Sequence, residues 1–130
     1  MIDSNFKEGC VLIVGGSGGI GSLCAQEFAN SDAKVAITYF KNEQAAIDIA
    51  NEINADVNIY QLDNSDSKSV EDTFKNVIKD YGSINTLVNA AGFDIPQKFI
   101  NEIDIDLWKG VIDADINGFF NLIKSGLPYL

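Results

Sequence analysis

The sequence predicts an α/β fold built on a doubly wound parallel sheet, and three observations carry that prediction. Four strand-like segments, the first of them a continuous apolar run, alternate with stripes of apolar residues at helical spacing. The first run ends in a cluster of glycines that opens directly into a helix. No internal repeat, charge block or low-complexity linker divides the 130 residues, so one domain holds the whole alternation.

The elements follow in order. Residues 11–14 (Val-Leu-Ile-Val) are apolar throughout, as a strand buried on both faces requires. Ile20, Leu23, Cys24 and Phe28 then recur at helical spacing. Val35 to Tyr39 reads as a second strand, and Ala46, Ile49, Ala50 and Ile53 stripe a second helix. A third strand is expected over 57–60. Val70, Phe74, Val77, Ile78 and Tyr81 stripe a third helix, which Asp66 or Ser67 caps and Gly82 ends. The fourth strand covers 84–88. One long helix is expected over about 104–127, with Trp108, Ile112, Ile116, Phe119, Phe120 and Ile123 on its apolar side. Right-handed crossovers give the strand order 3-2-1-4, with a ligand crevice at the carboxyl ends of strands one and four.

Composition narrows the function. Nine Lys and no Arg against 19 acidic residues give a formal net charge of −10, which leaves no basic patch for nucleic acid or an anionic membrane surface. No apolar run approaches the ~20 residues of a spanning helix, and the start of the chain lacks a signal-peptide pattern. Cys10 and Cys24 are too few for a disulfide framework and read as reduced core thiols, so a cytoplasmic location is expected. Without His, Ser-His-Asp hydrolysis falls away, zinc hydrolysis loses its commonest ligand, and no metal site is expected.

The glycine cluster carries the chemistry. Residues 14–21 (Val-Gly-Gly-Ser-Gly-Gly-Ile-Gly) join a strand to a helix, where glycines let a ligand approach the backbone and free N–H groups favour phosphate. A plain tight turn is the alternative. The loop fits three dinucleotide spacings at once: Gly16, Gly18 and Gly21; Gly15, Gly18 and Gly21; or Gly15, Gly19 and Gly21.

Residues 87–92 (Leu-Val-Asn-Ala-Ala-Gly) choose among them. With the glycine loop and Asp63, they resemble the short-chain dehydrogenase/reductase family, closest to its 3-oxoacyl-acyl-carrier-protein reductase and sugar or steroid dehydrogenase type. The segment 113–120 (Asp-Ala-Asp-Ile-Asn-Gly-Phe-Phe) is similar to that family's fourth-helix motif. The resemblance covers nearly the whole chain and implies a Rossmann-type sheet. The cofactor-binding residues it implies are Gly15, Ser17, Gly18, Gly19, Ile20, Gly21, Tyr39, Lys41, Asp63, Asn64, Asn89, Ala90, Ala91 and Gly92. Asp63 is implied as the acceptor for the adenine amino group, with a strand-end turn as its bland alternative. Asn117 is implied as catalytic, holding a water in a proton relay. Two departures stand out: Val14 replaces a Thr and Ala90 an Asn, each of which links neighbouring segments in the family.

No acid ends strand two, where Tyr39 stands, and Lys41 follows, so NADP(H) is the preferred cofactor, with NAD(H) admitted. The family implies hydride transfer between nicotinamide and a carbonyl or secondary alcohol, and homo-oligomerisation through the 104–127 helix. It also places a catalytic Ser, Tyr and Lys after position 130, so these residues read as the cofactor-binding half of a reductase. A stand-alone NAD(P)-binding or redox-sensing module is the alternative from another class. A nucleotide-sugar epimerase is the weaker enzymatic one.

Overall fold

The computed structural model describes residues 8–53 and 56–130. Strand β1 (Cys10–Val14) lies at the centre of the sheet and every residue of it is buried. The chain continues through α1 (Gly19–Asn30), β2 (Val35–Tyr39), α2 (Glu43–Glu52), β3 (Asn58–Gln61), α3 (Ser67–Tyr81) and β4 (Ile84–Asn89). All pairings are parallel and the order is β3-β2-β1-β4, as the alternation predicts. β3 begins one residue later than the apolar pattern suggests.

Side chains of the central strands alternate between two cores, because successive residues of a strand face opposite ways. Leu12, Val14 and Ala36 pack with Val70, Phe74 and Val77 of α3. Val11, Ile13, Val35 and Ile37 pack with Ala25 of α1 and Ala46 of α2. Asp66 caps α3, its side chain accepting from the Lys68 N–H, and Gly82 ends the helix at φ +84°, a conformation that favours glycine.

Two expectations are corrected. On α1 Cys24 and Phe28 pack against the core as expected and Gly21 and Ala25 are buried, whereas Ile20 and Leu23 are 76% and 62% exposed. The glycine loop brings α1 so close to the end of β1 that only small residues fit beneath it: a Cβ on Gly21 would lie 2.2 Å from the Gly15 carbonyl oxygen. The single long helix is also interrupted. It comprises α4 (Ile105–Val111), a π-helical turn (Ile112–Asn117) and α5 (Gly118–Gly126). Leu122 alone among the large side chains of α5 is fully buried. Trp108, Ile116, Phe119, Phe120 and Ile123, all on the expected apolar side, are exposed. Among the described residues no helix is long and apolar enough to cross a membrane.

Candidate functional site at the carboxyl end of the sheet

A cavity of about 550 Å³ opens where β1, β2, β3 and β4 end. One wall comprises Val14 and Gly15, Thr38 to Lys41, Leu62 to Ser65, and Ala91 to Asp94. The opposite wall is helical and presents Gly110, Asp113 and Ala114. Seven of the residues implied by the resemblance therefore line one space: Gly15, Tyr39, Lys41, Asp63, Asn64, Ala91 and Gly92. Ser17 and Gly18 lie in the turn before α1 and Gly19, Ile20 and Gly21 in its first turn, while Asn89 ends β4 and Ala90 follows it; none of these seven is in the lining.

The loop is held by backbone. Gly15 adopts φ +77°, and a Cβ there would lie 2.7 Å from the Ala91 nitrogen, so loop and β4 exit touch main chain to main chain. The Ala90 N–H donates to the Val14 carbonyl at 2.8 Å, and the Asn89 carboxamide oxygen accepts from the Ala91 N–H at 3.3 Å. The Val14 and Ala90 positions, which lack the polar side chains of the resemblance, are thus joined through the backbone.

The start of α1 is chemically open. Its N-cap, Gly18, offers no side-chain cap, no acidic residue occupies the first turn, and the first helical bond runs from Ser22 to Gly18. The N–H groups of Gly19, Ile20 and Gly21 consequently have no partner among the described residues. A Cβ on Gly19 would meet nothing within 4 Å, so packing of this chain does not require glycine there. Open space beside unpaired N–H groups at a positive helix end is what an anionic phosphate needs, and the residues present fit a dinucleotide.

Other side chains are partly committed. Asp63 Oδ1 accepts from the Ser65 backbone and hydroxyl at 3.0 and 2.6 Å, so the turn function holds one of its oxygens. Tyr39 has its phenol pKa raised, first by desolvation and then by the Glu43 carboxylate. Lys41 Nζ lies 5.1 Å from the Phe40 ring centroid. It is the only cation of the lining, against Asp63, Asp94 and Asp113.

Asn117 lies outside the lining. It is exposed, at the end of the π-helical turn, and its carboxamide donates to Asp113 Oδ1 at 2.8 Å. Asp115, two residues earlier, is the side chain that reaches the β4 exit, accepting from the Phe93 N–H at 2.8 Å. Asn64 donates to the Ala114 carbonyl at 3.1 Å, and its own carbonyl accepts from Asn121 at 2.9 Å. This pair of asparagines clamps the β3 exit to the helical wall. Gly118 makes room for it, since a Cβ there would lie 2.6 Å from the Asn64 side chain.

Sequence reasoning missed Thr38, Asp115 and Asn121. Thr38 and Asn121 were visible as lone polar residues in apolar patterns. Nothing local singles out Asp115. Among the described residues no group of three His, Cys, Asp or Glu is placed to hold a metal.

Known proteins agree with this arrangement. Residues 9–130 match the family described as short chain dehydrogenase. An uncharacterized oxidoreductase of Staphylococcus epidermidis is 30% identical over 124 residues, 95% of this chain and 53% of its own length. The 3-oxoacyl-acyl-carrier-protein reductase of Staphylococcus aureus is 30% identical over 122 residues, 92% of this chain and 49% of its own. A dehydrogenase/reductase of Sinorhizobium meliloti superposes with a TM-score of 0.86 at 26% identity, over 95% of this chain and 50% of that one. The chain spans about half the length of the curated relatives it matches. It belongs to the short chain dehydrogenase family.

Proposed function

We propose that this chain supplies the cofactor-binding half of an NADP(H)-preferring oxidoreductase acting on a small-molecule carbonyl or secondary alcohol. The observation that carries the reading is the open N-terminus of α1, with three unpaired N–H groups beside a glycine that packing does not require. The family generally binds NAD(P), and a bound nicotinamide supplies the hydride donor or acceptor.

The chain's own residues then have distinct tasks. The N–H groups of Gly19 to Gly21 hold the pyrophosphate, and the main-chain contact of Gly15 with Ala91 keeps that end rigid. Asp63 Oδ2, left over from the turn, accepts from the adenine amino group. Lys41 neutralises a ribose phosphate, which no acid at the end of β2 repels. Asn117 holds a water from the rim through its tie to Asp113. The exposed apolar residues of α4 and α5 favour a homo-oligomer formed through this helix, since a contiguous apolar patch marks an association surface. The reading extends to a cytoplasmic protein.

Fluorescence titration of the full-length protein with NADPH and NADH is the test. Tighter uptake of NADPH is expected, with carbonyl-dependent NADPH oxidation. Preference for NADH would overturn the assignment of Lys41, and failure to bind either would overturn the cofactor reading.

A further inference from the structure

Gly15 is the node of the glycine loop. Its carbonyl accepts from the Gly18 N–H at 3.1 Å, and Gly21 packs against that same carbonyl. Its Cα faces the Ala91 backbone. Its N–H lies one residue past the end of β1, where the chain turns away at positive φ, and is taken instead by a side chain: Thr38 Oγ1, at 3.1 Å from the neighbouring strand β2. Displacing Gly15 would therefore shift the Gly18 turn and the start of α1 together.

Thr38 itself is out of character with its surroundings. It is 1% exposed, in a strand whose other members are Val, Ala, Ile and Tyr, and it lies two residues from Ala36 on the face that carries Val14 and Leu62. Valine has nearly the same shape and suits a buried strand equally well, so packing does not call for the hydroxyl. One hydrogen bond does. Next to it, Gly16 rests on Ile37, where a Cβ would lie 2.5 Å from the Ile37 Cβ, so β2 fastens the loop at two successive residues. Only the Thr38 contact is directional.

We propose that Thr38 is the positioning residue of the phosphate loop: its buried hydroxyl, by accepting the Gly15 N–H, sets where the unpaired N–H groups of α1 point. The inference rests on the cofactor reading above and adds to it a residue that none of the loop motifs contains. A hydroxyl acts here across 23 positions of sequence, from a strand that a motif search treats as plain core.

The experiment pairs two readouts on the full-length protein and its Thr38→Val and Thr38→Ser variants. Amide exchange of Gly15, followed by NMR, reports the bond without any ligand. Titration with NADPH and NADH reports its consequence. Thr38→Val is expected to speed Gly15 exchange and weaken dinucleotide binding, each about tenfold, while Leu12 exchange stays as in the wild type. Thr38→Ser restores both to within about twofold. Should Thr38→Val not fold, Thr38→Ser against Thr38→Ala makes the same comparison. Unchanged Gly15 exchange in Thr38→Val, or faster exchange with full affinity, overturns the proposal. Wild-type protein that binds neither dinucleotide overturns the cofactor reading, and the Gly15 exchange rates then decide the anchor by themselves.

Discussion

The two walls of the cavity are built on different terms. The sheet wall rests mainly on main-chain contacts, Gly15 against Ala91, Gly21 against Gly15, and the hydrogen bond from Ala90 to Val14, with the Thr38 hydroxyl as its one directional side-chain tie to Gly15. Behind it stands β1, buried along its whole length. The helical wall is a π-helical turn between two short helices, with none of Ile112 to Asn117 fully buried, and side chains tether it: Asn64 to Ala114, Asp115 to Phe93, Asn121 to Asn64. A wall of packed backbone resists displacement by interior density. The helical wall is also anchored by Leu122 of α5, which packs into the core beside Phe74 of α3, but its π-helical turn is tied to the sheet through side-chain bonds. The difference teaches that the glycine-loop side is fixed mainly by close backbone packing, whereas the π-helical side is fixed mainly by side-chain bonds, so the second is expected to yield first.

Substitutions on either side sharpen or break that comparison. The largest effect is expected for Gly21→Ala, whose Cβ would be driven 2.2 Å from a backbone oxygen that cannot swing aside. A loss of about 3 kcal/mol in denaturant unfolding is expected, with dinucleotide affinity falling alongside. An unchanged midpoint would mean that the sheet wall relaxes as readily as the other.

The sheet wall also has a pH signature at the far end of β1. Burial pushes the Cys10 thiol up from 9.0 to about 12, with Lys34 opposing. Because the folded value is raised, this group's contribution is fully present below pH 9 and is lost as the pH climbs toward 12, at about 1 kcal/mol per unit. Cys10→Ala should flatten that decline in alkaline unfolding curves. An equally steep decline in the variant would assign it to other groups.

On the helical wall, Asn64→Ala removes one tether, and about 1–2 kcal/mol of stability is expected to go with it. Hydrogen exchange should quicken over 112–117 and not over β1. Uniform acceleration of both would erase the distinction between the walls.

The smallest stability effect belongs to Gly19→Ala, within about 0.5 kcal/mol of the parent, since the added methyl meets nothing. Dinucleotide binding should nonetheless weaken about tenfold, because the methyl occupies the phosphate's approach. Unaltered affinity would place the ligand elsewhere.

Much of this was legible in the sequence. β1 and β2 were legible because a strand buried on both faces has little choice of composition, and the alternation with helical stripes placed β3 and β4. Asp66 and Gly82 marked the ends of α3 because capping is local chemistry. The π-helical turn was not legible: Ile112, Ile116 and Phe120 suit an unbroken helix, and a contact made within that turn, from Asn64 to the Ala114 carbonyl, comes from about 50 residues away. The outward face of Ile20 and Leu23 escaped for a similar reason, since the inward face is set by how closely the glycine loop lets α1 approach. In the site, the glycines announced the loop, but three spacings fitted equally. In the structure Gly15, Gly16 and Gly21 are pressed against neighbouring atoms, whereas a Cβ on Gly19 would meet nothing within 4 Å. Asn117 was legible as a polar residue on an apolar helix; its bond to Asp113, a lining residue, was not.

The chain contains a single tryptophan, and Trp108 sits half-exposed on α4, the helical side. Intrinsic emission from this chain is therefore a one-sided probe. It follows the helical wall and is silent about the phosphate loop, whereas circular dichroism averages over every helix and strand. Melting curves recorded both ways on one sample would separate the two walls without any label, the emission transition preceding the dichroic one if the tethers release first.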